Sequence, residues 1–184
     1  MPDFKPPTCQ TRCTTPGFLV LHKPPGISSH TAIAKLKPFI SGKIGHTGTL
    51  DPFASGMLVA GVGEATKFCQ YLVGQDKRYR ARVALGSQTN TDDATGEVIA
   101  EAEIPNLSLK KVEDILHTYF LGTITQKPPK FSALKLQGKA YYQYARKGVA
   151  LDIPERKVTV FGFDNLHLHA QNLWIEFDVH VGSG

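Results

Sequence analysis

Six glycines fall within the 22 residues from 42 to 63: Gly42, Gly45, Gly48, Gly56, Gly61 and Gly63. Glycine tolerates positive φ and lets a ligand approach the backbone, so such a stretch can hold a bound group against its amides. The spacing matches neither Gly-x-x-x-x-Gly-Lys-Ser/Thr nor Gly-x-Gly-x-x-Gly after a strand, which argues against nucleoside triphosphates and dinucleotides. A single carboxylate lies inside it, Asp51, in Gly45-His46-Thr47-Gly48-Thr49-Leu50-Asp51-Pro52. An aspartate before proline commonly serves as a turn or cap residue. Held against a ligand, the same carboxylate can act as a nucleophile or a general base. The residues alone leave both roles open. No Ser-His-Asp order, nucleophilic cysteine or paired-carboxylate signature offers another mechanism.

Metal chemistry finds little support. Cys9 and Cys13 form a pair, but no second pair stands at ligand spacing. His167 and His169 lie two apart on an alternating segment and would face the same side, a geometry that can bind a metal. With no third ligand near them they read as polar surface. No metal site is expected.

The elements that must position Asp51 are legible in part. Residues 1–16, with four prolines and no apolar period, read as a flexible N-terminal arm. Phe18 to Leu21 is a short apolar strand running into the turn His22-Lys23-Pro24-Pro25-Gly26. Ser28 or Ser29 then caps a helix with Ile33, Leu36 and Ile40 near helical spacing, its end shortened or bent by Pro38. Met57 to Val62 reads as a buried strand, and Glu64 to Leu72 as a helix with Ala65, Phe68, Cys69 and Leu72 on one face.

The clearest strand runs from Lys77 to Leu85, where Tyr79, Ala81, Val83 and Leu85 alternate with Arg78, Arg80 and Arg82. One face packs and the other is basic, either as a solvated surface or as a contact for phosphates. Ser108 caps a helix in which Val112, Ile115, Leu116, Tyr119 and Phe120 form an apolar stripe ended by Gly122. A further helix is predicted from about Lys139 to Lys147, carrying Tyr141, Tyr142, Tyr144 and Arg146. Lys157 to Val181 alternates as two or three strands, with Leu173, Ile175, Phe177, Val179 and Val181 on one face of the last. Strands and helices mix without regular alternation, and the predicted class is α+β in one domain, residues 17–184.

Gly45 to Leu58 resembles the catalytic motif of the TruB-type tRNA pseudouridine synthases. Supporting blocks stand in the same order: Leu21-His22-Lys23-Pro24-Pro25-Gly26-Ile27-Ser28-Ser29, Gly63-Glu64-Ala65-Thr66-Lys67-Phe68, Asp76-Lys77-Arg78-Tyr79, Leu85-Gly86, Thr91 to Gly96, Phe131 to Gly138, then Tyr142 and Ala145-Arg146. The resemblance implies the pseudouridine synthase fold, a mixed, largely antiparallel sheet flanked by helices. It implies isomerisation of the T-loop uridine at tRNA position 55, with no cofactor and with Asp51 as the catalytic aspartate. His46 would help displace the packing of the loop, and Tyr79 would stack on the flipped base. Lys23, Arg78, Lys135 and Arg146 would contact the RNA backbone of the T-arm, since A-form RNA is read mostly through shape and phosphate. Members of the family continue with a Gly-Thr-Tyr-x-Arg-like segment, whose arginine pairs with the aspartate, and usually with a PUA-like RNA-binding domain. Here the sequence ends at Gly182-Ser183-Gly184, so the resemblance implies a partial catalytic domain that can be inactive by itself.

Composition is compatible with this reading. Against 16 acidic residues stand 21 Lys and Arg, a formal charge of +5, which suits a polyanion without demanding one. A non-catalytic RNA-binding module or tRNA-folding chaperone would share that charge, and a phosphate-binding hydrolase could use the glycine-rich loop. Three cysteines, an odd number, suit a reducing compartment. No secretory leader or membrane-spanning apolar run is visible, and a cytoplasmic monomer with no membrane partner is expected.

Overall fold

The alternation from Lys77 to Leu85 becomes strand β4 (Lys77–Ala84) of the largest sheet in the computed structural model, which describes residues 12–128, 135–136, 139–140, 153–169, 171 and 173–182. Of residues 135–136 and 139–140 the backbone alone is described. The chain forms two compact units, Met1–Gln75 and Asp76–Gly184.

In the first unit, β1 (Gly17–Lys23), β2 (Ile44–His46) and β3 (Gly56–Val62) make an antiparallel sheet in the order β1-β3-β2. Nothing in the sequence announces β2. Three residues with a glycine in the middle carry no alternation, and pairing with β3 decides their conformation. Between β1 and β2 lies α1 (Ser29–Ala34), whose Ile33 packs on Leu58 and Ala60 of β3 to form the core. Ser28 is the cap, its Oγ accepting from the Thr31 amide at 3.0 Å.

The helix stops well short of Ile40. Pro38 has no N–H to offer the Ala34 carbonyl, and the chain passes instead through a 3-10 turn, Lys37–Phe39, into extended backbone at Ile40. There Cys13 pairs in a parallel bridge with Ile40, so the last described part of the N-terminal arm is tied down. Beyond β3, the predicted helix begins as a 3-10 segment, Gly63–Phe68, and only α2 (Gln70–Val73) is α-helical. The Thr66 hydroxyl donates to the Gly63 carbonyl at 2.8 Å, a local bond that competes with the α-helical ladder. Phe68 and Leu72 stay exposed rather than joining Ala65 inside.

In the second unit, β4 is followed by a hairpin of β5 (Ser87–Thr89) and β6 (Val98–Glu101), then α3 (Leu109–Phe120) and β7 (Gly122–Gln126). A two-stranded ribbon of β8 (Lys135–Leu136) and β9 (Lys139–Ala140) precedes β10 (Arg156–His169) and β11 (Trp174–Val181). The helix predicted from Lys139 is thus corrected at its start to strand pairing, and residues 141–147 lie outside the described ones. The main sheet is antiparallel, ordered β4-β11-β10-β7. Its inner face packs Ile175 and Phe177 against Val112 and Leu116 of α3, which Ser108 caps through the Lys111 amide. Tyr119 of the predicted stripe stays largely exposed, and Ile115 and Phe120 are covered only in part. The α+β class is as the sequence predicts.

On the outer face the arginines are solvated, one of the two readings the sequence leaves open, and each stands beside a carboxylate. Register sets Arg82 opposite Glu176 and Arg80 opposite Asp178 on β11. Arg80 grips Asp178 with two bonds of 2.7 and 3.0 Å, Arg82 reaches Glu176 at 3.1 Å, and Arg78 stands 3.8 Å from Asp164 of β10. The arginines form a charge-matched ladder across neighbouring strands.

The Arg80 guanidinium, helped by the Asn165 amide, holds the Asp178 carboxyl at about 2, well below its ordinary 3.8. A carboxyl lowered on folding stabilises the fold above its unfolded value near pH 4 and loses that contribution as the pH falls toward about 2. Acid titration of stability should therefore show a component between about pH 4 and pH 2 that disappears in Asp178→Asn. An unchanged acid limb in that variant would remove Asp178 from the account.

Candidate active site

Strand alternation places Lys23 on the same face of β1 as Leu21, the face that packs on the core, so the lysine is drawn inward at the strand's end. It is fully buried, and its ammonium donates to the carbonyls of Pro24 (3.0 Å), Ile27 (2.8 Å) and Pro52 (3.3 Å). Three protons meet three acceptors. An ammonium so engaged is not presented to a phosphate, which corrects the RNA-contact role expected for Lys23. It joins the turn after β1 to the Asp51 loop.

The same turn makes two further attachments. Gly26, at φ +87, donates its amide to the Pro52 carbonyl at 2.8 Å. Ser29, the first residue of α1, is buried, and its hydroxyl both donates to the Leu50 carbonyl (3.0 Å) and accepts from the Leu50 amide (2.9 Å). Asp51 to Ala54 then closes as a turn, the Ala54 amide donating to the Asp51 carbonyl at 3.1 Å with proline in the second position. The turn role open to Asp51 from sequence is real, and the bond that closes the turn falls on its main-chain carbonyl. The residue itself is exposed.

At the loop's start, Thr47 is buried and bonds through both its amide and its hydroxyl to the Val59 carbonyl of β3. His46 ends β2 opposite Ala60, with Nδ1 2.6 Å from the Gly48 carbonyl. A carbonyl only accepts, so Nδ1 carries the proton and donates, which fixes the ring's orientation. The loop is therefore fastened at Thr47, Leu50 and Pro52, and an exposed carboxylate stands on fixed backbone between the last two. That arrangement can present a nucleophile or base to a ligand without reorganising the protein.

The other site residues expected from sequence lie in the second unit or outside the described residues. Tyr79 is half-exposed on β4, opposite Val179 and in phase with Ala81, which packs on the core. Arg78, on the outer face, keeps most of its side chain in solvent. Lys135 lies in β8, and Arg146 lies outside the described residues.

Among the described residues no group of three or more His, Cys, Asp or Glu is placed to hold a metal. His169 stacks on Trp174 at 3.6 Å, and the Arg82 guanidinium lies 4.1 Å from that indole's centre. No helix among them is long and apolar enough to cross a membrane.

A family model described as TruB family pseudouridylate synthase (N terminal domain) matches residues 34–184, which include the whole Asp51 loop. The chain belongs to this family. It is 46% identical over 170 residues to tRNA pseudouridine synthase B of Vibrio campbellii, covering 91% of this chain and 52% of that protein. It is 44% identical over 169 residues to tRNA pseudouridine synthase B of Blochmanniella floridana, covering 91% of this chain and 65% of that one. Among solved structures, a chain of "Crystal Structure of a Cbf5-Nop10-Gar1 Complex" superposes with a TM-score of 0.62 at 27% identity, covering 91% of this chain and 40% of that chain. The chain thus spans about half the length of the first curated relative, 52%. The pseudouridine synthase fold expected from the motifs is the fold these likenesses share.

Proposed function

We propose that the protein carrying this chain is a tRNA pseudouridine synthase that isomerises the T-loop uridine at tRNA position 55. The observation that carries this reading is the exposed Asp51 on immobilised backbone, inside the segment matched by the family. In the isomerisation the uracil leaves the sugar through its glycosidic nitrogen, rotates, and rejoins through carbon. Asp51 serves by attacking the base, by attacking the sugar, or by removing a sugar proton. The carbon that joins the sugar gives up its proton and the freed nitrogen gains one, so atoms and electrons balance without a cofactor.

The target base must first leave its stack, which costs a few kcal/mol. Tyr79 returns about 1–3 kcal/mol of this by stacking on the flipped base. His46, with its ring held by Gly48, occupies the space vacated in the loop. Arg78, Lys135 and Arg146 contact the T-arm backbone, whereas Lys23 supports the loop from within.

Incubating the complete protein with a uridine-labelled tRNA transcript tests the reading. Pseudouridine at the T-loop position is the expected product. Tight tRNA binding with no pseudouridine would replace the enzyme with a binding module or folding chaperone.

A further inference from the structure

We propose that Ser29 is a positioning residue that sets the direction of the Asp51 side chain. The proposal rests on the reading of Asp51 as the reacting carboxylate. A side chain's direction is determined by the two rigid peptide planes that meet at its Cα. For Asp51, the plane on the carboxyl side is held by the Ala54 amide bonding to the Asp51 carbonyl. The plane on the amino side contains the Leu50 carbonyl, which accepts from the Ser29 hydroxyl.

Ser29 also accepts from the Leu50 amide, so the hydroxyl spends its proton and a lone pair on one residue's backbone. Its neighbour Ser28 already supplies the helix cap, so Ser29 is not needed to start α1. Only 2% of Ser29's surface is exposed, so water does not readily replace a lost hydroxyl. With both planes held, the direction in which the Asp51 side chain leaves the backbone is set. Without the hydroxyl, the plane before Asp51 loses that bond, and the direction of the side chain is less tightly set.

The test compares the complete protein with Ser29→Ala, which deletes both bonds, and Ser29→Cys, which keeps the volume with only a weak donor and acceptor. Amide hydrogen exchange should quicken at Leu50 and along residues 49–54 in Ser29→Ala, with Ser29→Cys between. Pseudouridine turnover, kcat, should fall about 10- to 100-fold in Ser29→Ala, the scale of a misplaced reacting group, while KM and tRNA affinity stay within about twofold. Unchanged exchange at Leu50, or a loss carried by tRNA affinity rather than kcat, overturns the proposal. Should Ser29→Ala fail to fold, the same criteria apply to Ser29→Cys. If the unmodified protein makes no pseudouridine, the proposed function fails, and the exchange experiment alone then decides whether Ser29 orders the loop.

Discussion

In the complete protein, Asp51→Asn should abolish pseudouridine formation and leave tRNA binding nearly intact. The substitution keeps the shape of the side chain and removes its charge and basicity, so the change falls on chemistry. Asp51 is exposed, and the turn it starts is closed by its main-chain carbonyl, which asparagine also has. Surface changes of this kind usually move stability by less than about 0.5 kcal/mol. Removing a group that acts directly on the reacting bonds lowers turnover by on the order of 10⁴-fold or more. Single-turnover assays with labelled tRNA, beside filter binding, separate the two effects. Turnover within about tenfold of the unmodified protein would exclude Asp51 from nucleophile and base roles alike.

Lys23→Met should be the most damaging change to stability. Methionine roughly fills the volume but leaves the carbonyls of Pro24, Ile27 and Pro52 without their donor. Gly26 still bonds to Pro52, and Pro24 is near solvent, so the loss is less than three full penalties. A cost of about 2–4 kcal/mol follows for a charged donor removed from buried acceptors. Lys23→Arg should not restore it, because a planar fork needs more room than a site with no exposed surface gives. Urea denaturation of the complete protein measures this. A midpoint unchanged in Lys23→Met would show that the three bonds contribute nothing net.

How much of this was visible in the sequence differs by element. The alternation of β4 and the stripe of α3 are long enough for periodicity to define them. Three-residue β2 and the polar β5 have none, and tertiary pairing determined them. Asp51 was found through its surrounding blocks, whereas its supports were not. Lys23 reads as surface by residue type, although its parity with Leu21 on one strand was a signal that it turns inward. Glu176 and Asp178 alternate with Phe177 and Val179 in the sequence, so an acidic row on β11 was legible. That this row stands beside the arginines of β4 depends on register between strands about a hundred positions apart, with Arg80 and Asp178 separated by 98.

The ladder on the outer sheet face bears on how the protein meets any polyanion. Binding to nucleic acid is driven in large part by condensed cations released as basic groups replace them along the phosphates. Arg80 and Arg82 already have carboxylates beside them, so they displace few such ions unless those pairs open first. The three arginines of β4, Arg78, Arg80 and Arg82, therefore overstate the number of cations this face can release. Affinity should weaken with added salt less steeply than a count of arginines suggests, leaving shape and base contacts to carry more of the discrimination.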